Sequence, residues 1–196
     1  MAATGVRVTG GRLGGRRLRA PRDGVRPTSD RVREALFSRL DDLAGAAVLD
    51  LYAGTGVLGV EAVSRGANRL VCVERAPRAL ATLRHNLEAL GLQKTARVIA
   101  DDAPRAVRRL GEAGERFDLV FLDPPYAAEE LSRALEALVC AGVLGDAGRV
   151  VVEHSRRHPV PAVAGLVEID ERRYGDTIIT RLESRPSAQT GGASDR

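Results

Sequence analysis

Residues 46–66 contain the pattern that most constrains the fold: a short apolar run, a glycine-rich turn, and a helical stretch closed by Gly66. Gly54, Gly56 and Gly59 follow the apolar run with the spacing G-x-G-x-x-G. Directly after a strand, this spacing is typical of the first turn of a nucleotide-binding α/β sheet. The pattern therefore predicts a parallel sheet with a ligand at the carboxyl ends of its strands.

The rest of the chain continues the alternation of apolar runs and helical patterns. The predicted strands are 46–51, 70–73, 98–100, 117–122 and 150–152, followed by 166–169 and 177–182. Helical patterns lie at 30–40, between the glycine turn and Gly66, at 77–91, from Pro104, and around 131–138. No helix separates the last two strands, so one of them should run antiparallel. We therefore predict an α/β fold with a mostly parallel, seven-stranded sheet and an antiparallel carboxyl-terminal strand.

The positive charge is concentrated at the amino terminus. Residues 1–26 carry seven arginines and one aspartate, a formal charge of +6, whereas the whole chain is +4 and the remaining 170 residues are −2. Guanidinium groups pair with phosphate through two parallel hydrogen bonds. We therefore predict a nucleic-acid-binding arm over 1–26, and a solvated tail is the alternative. The predicted contacts are Arg7, Arg12, Arg16, Arg17 and Arg19. We also expect that deletion of residues 1–22 spares the fold.

Composition excludes several classes of protein. No apolar run approaches the ~18–20 residues needed to span a bilayer, and the start lacks the apolar core of a secretory signal, so we expect a cytoplasmic protein without membrane contacts. Cys72 and Cys140 are isolated, so neither a zinc site nor a disulfide is expected. Residues 184–196 are rich in small and polar residues and are predicted to form a disordered tail after a domain at 27–183.

Acidic residues stand at three predicted strand ends. Asp50 precedes Gly54 by four residues, Glu74 follows it by twenty, and Asp101 and Asp102 end the third strand. Glu74 can accept hydrogen bonds from two ribose hydroxyls, Asp50 can face an ammonium group, and Asp101 or Asp102 can hold an adenine amino group. Acidic strand ends repel pyrophosphate and suit a sulfonium, which favours S-adenosylmethionine (SAM). An NAD-dependent oxidoreductase is the alternative because it uses the same glycine turn.

The fourth strand ends in the most specific motif of the chain, Asp123-Pro124-Pro125-Tyr126. The prolines remove two backbone donors and leave the Pro124 carbonyl free to face the cleft. That carbonyl and the Asp123 carboxylate are two acceptors that match the two donors of an exocyclic NH2 group. The Tyr126 ring can stack on the base that carries this amine. We therefore predict methyl transfer to a base amine held by Asp123, Pro124 and Tyr126, with the amine proton leaving through Asp123.

Residues 26–37, 48–67 and 123–126, in this order, resemble the RsmD family of bacterial methyltransferases, which modify N2 of guanine 966 in 16S rRNA. The resemblance runs over about 6–182 and implies a Rossmann-like, class I SAM-dependent methyltransferase fold. It implies the assembled or assembling small ribosomal subunit (30S) as substrate and SAM as methyl donor. The SAM contacts that it implies are Thr28, Gly54, Thr55, Gly56, Glu74 and Asp102, and the guanine contacts are Asp123, Pro124 and Tyr126.

Other functions remain open at this stage. The target can be another exocyclic amine of rRNA or DNA, and a non-catalytic ribosome-assembly protein would explain the arm but not a complete methyl-transfer cleft. His154, just past the fifth strand, is a further candidate for the cleft. We expect a monomer that needs no metal.

Overall fold

A seven-stranded sheet forms the centre of the protein in the computed structural model, which describes residues 5–20, 29–124 and 128–185. The strands of the sheet are β3 (Ala47–Leu51), β4 (Arg69–Glu74), β5 (Ala96–Ala100), β6 (Phe117–Leu122), β7 (Leu144–Ser155), β8 (Leu166–Tyr174) and β9 (Thr177–Ser184). The amino-terminal strands β1 (Gly5–Arg7) and β2 (Arg17–Arg19) pair with each other and form a second, two-stranded sheet. Ser184, predicted to begin the tail, is thus the last residue of β9, and 186–196 lie outside the described residues.

Helices connect most of the strands. They are α1 (Asp30–Phe37), α2 (Val57–Ser64), α3 (Pro77–Ala89), α4 (Ala103–Glu112) and α5 (Ala128–Cys140). Local sequence explains several starts: the Ser29 hydroxyl caps α1 by accepting from the Val32 N–H, and Asp102 caps α4 in the same way. Pro77 is the first residue of α3, where its missing N–H costs nothing. No helix in the described ranges is long and apolar enough to cross a membrane.

The order of the strands is β5-β4-β3-β6-β7-β9-β8. Strands β3 to β7 run parallel, whereas β9 lies between β7 and β8 and is antiparallel to both. This arrangement confirms the predicted fold class, including the antiparallel strand among the last two. It follows that the carboxyl ends of β3 to β7 meet at one edge of the sheet.

Apolar side chains cover both faces of the sheet. On one face, α1, α2 and α3 contribute residues such as Leu36, Val60 and Leu83 to a buried cluster. On the other face, α4 and α5 contribute residues such as Val107 and Leu135. Each fully buried side chain of this size stabilises the fold by about 1.5–3 kcal/mol. The helices therefore hold the strand ends in fixed positions relative to one another.

The amino-terminal segment is a folded hairpin, which we call the N-terminal hairpin (residues 5–19). Val6 of β1 lies opposite Leu18 of β2, and both side chains are buried. Val8, which follows β1, is completely buried in the cluster formed by α1, α2 and α3. The segment therefore belongs to the core of the domain, although its arginines were predicted to form a separate arm.

Glu61 of α2 fixes the hairpin in place. Its fully buried carboxylate accepts hydrogen bonds from the Thr9 N–H (2.8 Å), the Thr9 hydroxyl (2.7 Å) and the Gly10 N–H (2.8 Å). Arg65 donates to the same carboxylate at 2.9 Å. Deletion of residues 1–22 would remove Val8 from the core and leave Glu61 with a single partner, which is costly for a buried carboxylate. The structure therefore does not support the expectation that this deletion spares the fold.

Candidate active site

The carboxyl ends of β3 to β7 form what we call the cleft edge of the sheet. In spatial order, this edge carries Asp102 after β5, Glu74 on β4, the glycine turn (residues 52–56) after β3, Asp123 after β6 and Glu153 on β7. Along the chain, the sheet first extends from β3 to β4 and β5 on one side. It then continues with β6 and β7 on the other side of β3, so the strand order reverses at β3. Ligands of such sheets bind at this point of reversal. The topology therefore gathers the predicted site residues around the glycine turn.

The glycine turn has a backbone that few residue types can adopt. Tyr52, Gly54 and Gly56 have φ angles of 60°, 55° and 80° in the left-handed region, and Gly56 caps the start of α2. Gly59 has an ordinary backbone but packs closely: a Cβ atom there would lie 2.7 Å from a Leu70 methyl group. The glycine spacing therefore serves a tight turn and a close approach of helix to strand.

Glu74 is held directly beside this turn. Its Oε2 accepts a hydrogen bond from the Gly54 N–H at 2.9 Å, and its Oε1 accepts from the Arg75 and Ala76 N–H groups at 2.8 and 2.7 Å. The two carboxylate oxygens offer about four acceptor sites in all, and the backbone takes three of them. Glu74 is thus a fixed carboxylate at the glycine turn, in the position predicted for the ribose contact.

Asn86 of α3 connects the glycine turn to the N-terminal hairpin. Its buried side-chain amide donates to the Thr55 carbonyl (3.0 Å) and the Arg19 carbonyl (3.1 Å), and its oxygen accepts from the Arg19 N–H (2.8 Å). Sequence reasoning did not identify this residue. Asn86 therefore positions both the turn and the end of the hairpin.

Asp50 lies beneath the glycine turn. Its side chain is buried, and its Oδ2 accepts a hydrogen bond from the Gly59 N–H at 3.0 Å. Burial raises the pKa of Asp50 to about 7, with a smaller contribution from the negative charge of Glu74, while the bond from Gly59 acts in the opposite direction. Asp50 therefore supports the start of α2, and its predicted contact with an ammonium group remains a prediction.

The two carboxylates after β5 have different surroundings. Asp101 accepts hydrogen bonds from Arg105 (3.2 Å) and Arg109 (2.8 Å) of α4. Asp102 caps α4 and lies 3.7 Å from a guanidinium nitrogen of Arg75, next to Glu74. Because two arginines of α4 already donate to the carboxylate of Asp101, the geometry favours Asp102 over Asp101 as a ligand contact. Within the described ranges, no three His, Cys, Asp or Glu side chains converge as a metal site requires.

Asp123 follows β6 on the same side of the sheet as Asp50, since side chains alternate along a strand. β6 pairs with β7 with Leu122 beside Val152, so Glu153 stands next to Asp123. Enclosure by the protein and then the negative charges of Glu153 and Asp50 raise the pKa of Asp123, although this residue keeps solvent-exposed surface. The structure places Pro124 directly after Asp123, whereas Tyr126 and Thr28 lie outside the described residues.

His154 does not face the cleft. Its Nε2 lies 2.8 Å from the hydroxyl of Thr180, which is completely buried on β9. Its Nδ1 lies within 3.2 Å of the carbonyl oxygens of Ser155 and His158. These contacts hold the imidazole against β9 and the residues that follow β7, so it is not positioned to act on a ligand over β6.

The five predicted RNA-contacting arginines lie on the N-terminal hairpin and are all exposed. Arg7 lies 3.3 Å from Asp30 of α1, which compensates its charge. Arg16 and Arg17 each contact one backbone carbonyl, at 3.5 and 3.4 Å. Arg12 and Arg19 have no side-chain partner among the described residues. The hairpin thus presents a basic surface beside the glycine turn.

Sequence reasoning missed Glu153, Asn86 and Glu61. Glu153 directly follows the apolar run 150–152, so the rule that located the other strand-end carboxylates applies to it as well. Glu61 is the single charged residue in the eight-residue helix α2, which is a signal of a buried, partnered group. Asn86 has His85 before it and Leu87 after it, and one polar residue beside a helical leucine stripe does not by itself indicate a buried contact.

Comparisons with known proteins agree with this architecture. A family model described as Conserved hypothetical protein 95 matches residues 6–183. The Bacillus subtilis protein YlbH is 36% identical over 183 residues, which cover 92% of this chain and all of that protein. Ribosomal RNA small subunit methyltransferase D of Escherichia coli is 33% identical over 97% of this chain and 93% of its own. The structure of E. coli yhhF superposes with a TM-score of 0.81 at 30% identity, covering 92% of this chain and 98% of that one. The chain therefore belongs to the RsmD family of methyltransferases.

Proposed function

We propose that this protein transfers a methyl group from SAM to N2 of a specific guanine in the 16S rRNA of the small ribosomal subunit. The observation that carries the proposal is the position of the glycine turn between Glu74 on β4 and Asp123 after β6. One side of the turn offers a carboxylate suited to a nucleoside, and the other offers acceptors suited to a base amine. Donor and acceptor would therefore meet over β3.

The residues around β3 and β4 suit SAM as the methyl donor. The one remaining acceptor site of Glu74 suits a ribose hydroxyl, and Asp102, at the neighbouring strand end, suits the adenine amino group. Glu74, Asp102 and Asp50 are all acidic, which favours a cationic ligand and disfavours the pyrophosphate of NAD. Bound SAM supplies an electrophilic methyl group on a sulfonium.

The residues after β6 suit a guanine N2 as the methyl acceptor. The Asp123 carboxylate and the Pro124 carbonyl accept one hydrogen bond each from the two N–H groups of the amine and hold its lone pair towards the sulfonium. The new N–C bond forms as the S–C bond breaks, so S-adenosylhomocysteine leaves as a neutral thioether. The amine then loses one proton, which Asp123 can accept because its pKa is raised.

The proposal of an rRNA substrate is based on the family to which the chain belongs. The E. coli relative is named as a ribosomal RNA small subunit methyltransferase, and it aligns over nearly the full length of both chains. The N-terminal hairpin has a basic surface, and Asn86 connects it to the glycine turn by hydrogen bonds to both. Such a surface suits a polyanionic substrate. We therefore propose 16S rRNA within the small subunit as the substrate and the cytoplasm as the compartment.

The test is methyl transfer from labelled SAM to small subunits isolated from cells that lack this protein. We expect label in 16S rRNA and N2-methylguanine in its nucleoside digest. Asp123→Ala should abolish transfer while it leaves SAM affinity within a few fold, because Asp123 lies on the base side of the turn. Label in a different methylated nucleoside would show another exocyclic amine as the target, and near-normal turnover of Asp123→Ala would exclude its role.

Isothermal titration separates this proposal from the oxidoreductase alternative. SAM and S-adenosylhomocysteine should bind, whereas NAD should not, because the acidic strand ends repel its pyrophosphate. Binding of NAD without binding of SAM would refute the methyltransferase function.

A further inference from the structure

The turn at the end of β7, residues 154–158, is ordered by a network of its own side chains and backbone. The His158 N–H donates to the Ser155 carbonyl at 3.0 Å, and the Ser155 hydroxyl lies 3.2 Å from His158 Nδ1. Because carbonyl oxygens only accept, the Nδ1 of His154 carries a proton towards the carbonyls of Ser155 and His158. In the neutral ring, Nε2 then accepts from the hydroxyl of Thr180. These bonds anchor the turn to the buried strand β9.

The anchored turn presents Arg156 and Arg157, which are both exposed. Neither guanidinium has a hydrogen-bond or ion-pair partner within the ranges that the structure describes. Some surface arginines are compensated, as Arg97 is by Glu115, and others, such as Arg84 on α3, also lack a partner in the described part of the chain but stand singly on a helix. Two adjacent, uncompensated cations on an ordered turn therefore form a local site of positive charge.

The location of this site connects it to the target side of the cleft. β7 neighbours β6, and the pairing of Leu122 with Val152 places the turn a few residues beyond Glu153 and Asp123 at the same edge. At this edge the negative charge of Glu153, beside Asp123, would repel the phosphates that accompany a target base. Cations at the rim offset this repulsion and attract the backbone of the RNA.

We propose that the 154–158 turn is a second phosphate-binding site for the RNA substrate, across the cleft from the N-terminal hairpin. The hairpin lies at the glycine turn and α3, on the cofactor side, while Arg156 and Arg157 lie beyond β6, on the target side. The RNA is thus held on both sides of the base that enters the cleft. This inference rests on the proposed function and adds where the substrate backbone is bound.

The test compares the double variant Arg156→Ala/Arg157→Ala with the matched control Lys94→Ala/Arg116→Ala. The control removes two exposed positive charges that precede β5 and β6, at the opposite edge of the sheet. Affinity for small subunits is measured over a range of salt concentrations, together with SAM affinity, KM for subunits and kcat. Circular dichroism verifies that each variant is folded.

We expect the turn variant to bind subunits at least tenfold more weakly at low salt, with a salt slope lower by roughly 1.4–1.8, since each lost phosphate contact lowers it by about 0.7–0.9. Its KM should rise while SAM affinity and kcat stay near the wild-type values, and the control should match the wild type. Equal salt slopes for the two variants would overturn the inference while wild-type transfer still supports the proposed function. Absence of wild-type transfer to subunits would overturn both.

Discussion

Asp50→Asn should make the stability of this protein less dependent on pH. In the folded protein, burial raises the pKa of Asp50 from 3.8 to about 7. A pKa difference of one between the folded and unfolded states corresponds to about 1.4 kcal/mol, so the ionised side chain costs the folded state about 4 kcal/mol above pH 7. A raised folded-state pKa means that this stability is present at low pH and is lost as the pH rises from about 4 to about 7. Asparagine keeps an acceptor for the Gly59 N–H but does not ionise.

The measurement is the free energy of unfolding from urea titrations at several pH values. The chain contains no Trp, so circular dichroism is the suitable probe. Between pH 5 and pH 8, ionisation of Asp50 removes about 2–3 kcal/mol from the stability of the wild type, and this loss should be absent from Asp50→Asn. The slope with pH is the relevant quantity, because the asparagine amide also introduces a buried donor that changes the absolute stability.

Asp118→Asn is the matched control. Asp118 also accepts one backbone hydrogen bond, from the Ala47 N–H at 2.8 Å, but it is exposed at the opposite edge of the sheet. Its variant should keep the wild-type slope. If Asp50→Asn loses stability with pH as steeply as the wild type does, Asp50 does not carry the buried charge, and the reasoning is refuted.

Three further predictions concern the cofactor, the hairpin and the proton. Glu74→Ala should weaken SAM binding by about 1–3 kcal/mol in calorimetry, because a ribose hydroxyl loses its acceptor; unchanged affinity would place the ribose elsewhere. Leu18→Ala should lower the free energy of unfolding by about 2–5 kcal/mol, since Leu18 is fully buried, whereas Arg17→Ala should change it by less than ~0.5; equal effects would show that the hairpin does not contribute to the core. Glu153→Gln should lower the pKa of Asp123 and move the acidic limb of the pH–rate profile to lower pH, because a neighbouring negative charge is removed. A limb that stays in place or moves to higher pH would show that Glu153 does not raise the pKa of the group that limits the rate.

Apolar runs predicted the position of every strand of the sheet, and 117–122 matches β6 at both ends, but the long strands β7 and β8 extend beyond their runs. The run 150–152 indicated β7, which extends over Leu144–Ser155, and 166–169 indicated β8, which continues to Tyr174. The added residues include glycines and charged side chains that local propensity does not favour in strands. Pairing with β9 holds residues 149–155 of β7 and residues 170–174 of β8 extended, and the start of β7 pairs with β6 through Leu144 and Phe117. Pairing partners distant in sequence cannot be read from a local pattern.

The position of the cleft residues could be predicted because these residues follow strands directly. Glu74 and Asp123 each end or follow an apolar run, so the parallel topology alone brings them to one edge. The docking of the hairpin could not be predicted in this way. It depends on Glu61 and Asn86, whose partners in the hairpin lie more than 50 residues away in sequence and come close only in the folded chain.

The hairpin also constrains the order in which the chain can fold during synthesis. β1 and β2 are neighbours in sequence and pair locally, but Thr9 finds Glu61 only 52 residues later, and Arg19 finds Asn86 only 67 residues later. Contacts of such separation close late, because the intervening loop must first give up its freedom. The nascent chain therefore carries an undocked basic hairpin until α2 and α3 have emerged from the ribosome. The surface expected to bind RNA is therefore fixed in place only after the turn expected to bind the cofactor, residues 52–56, has been synthesised.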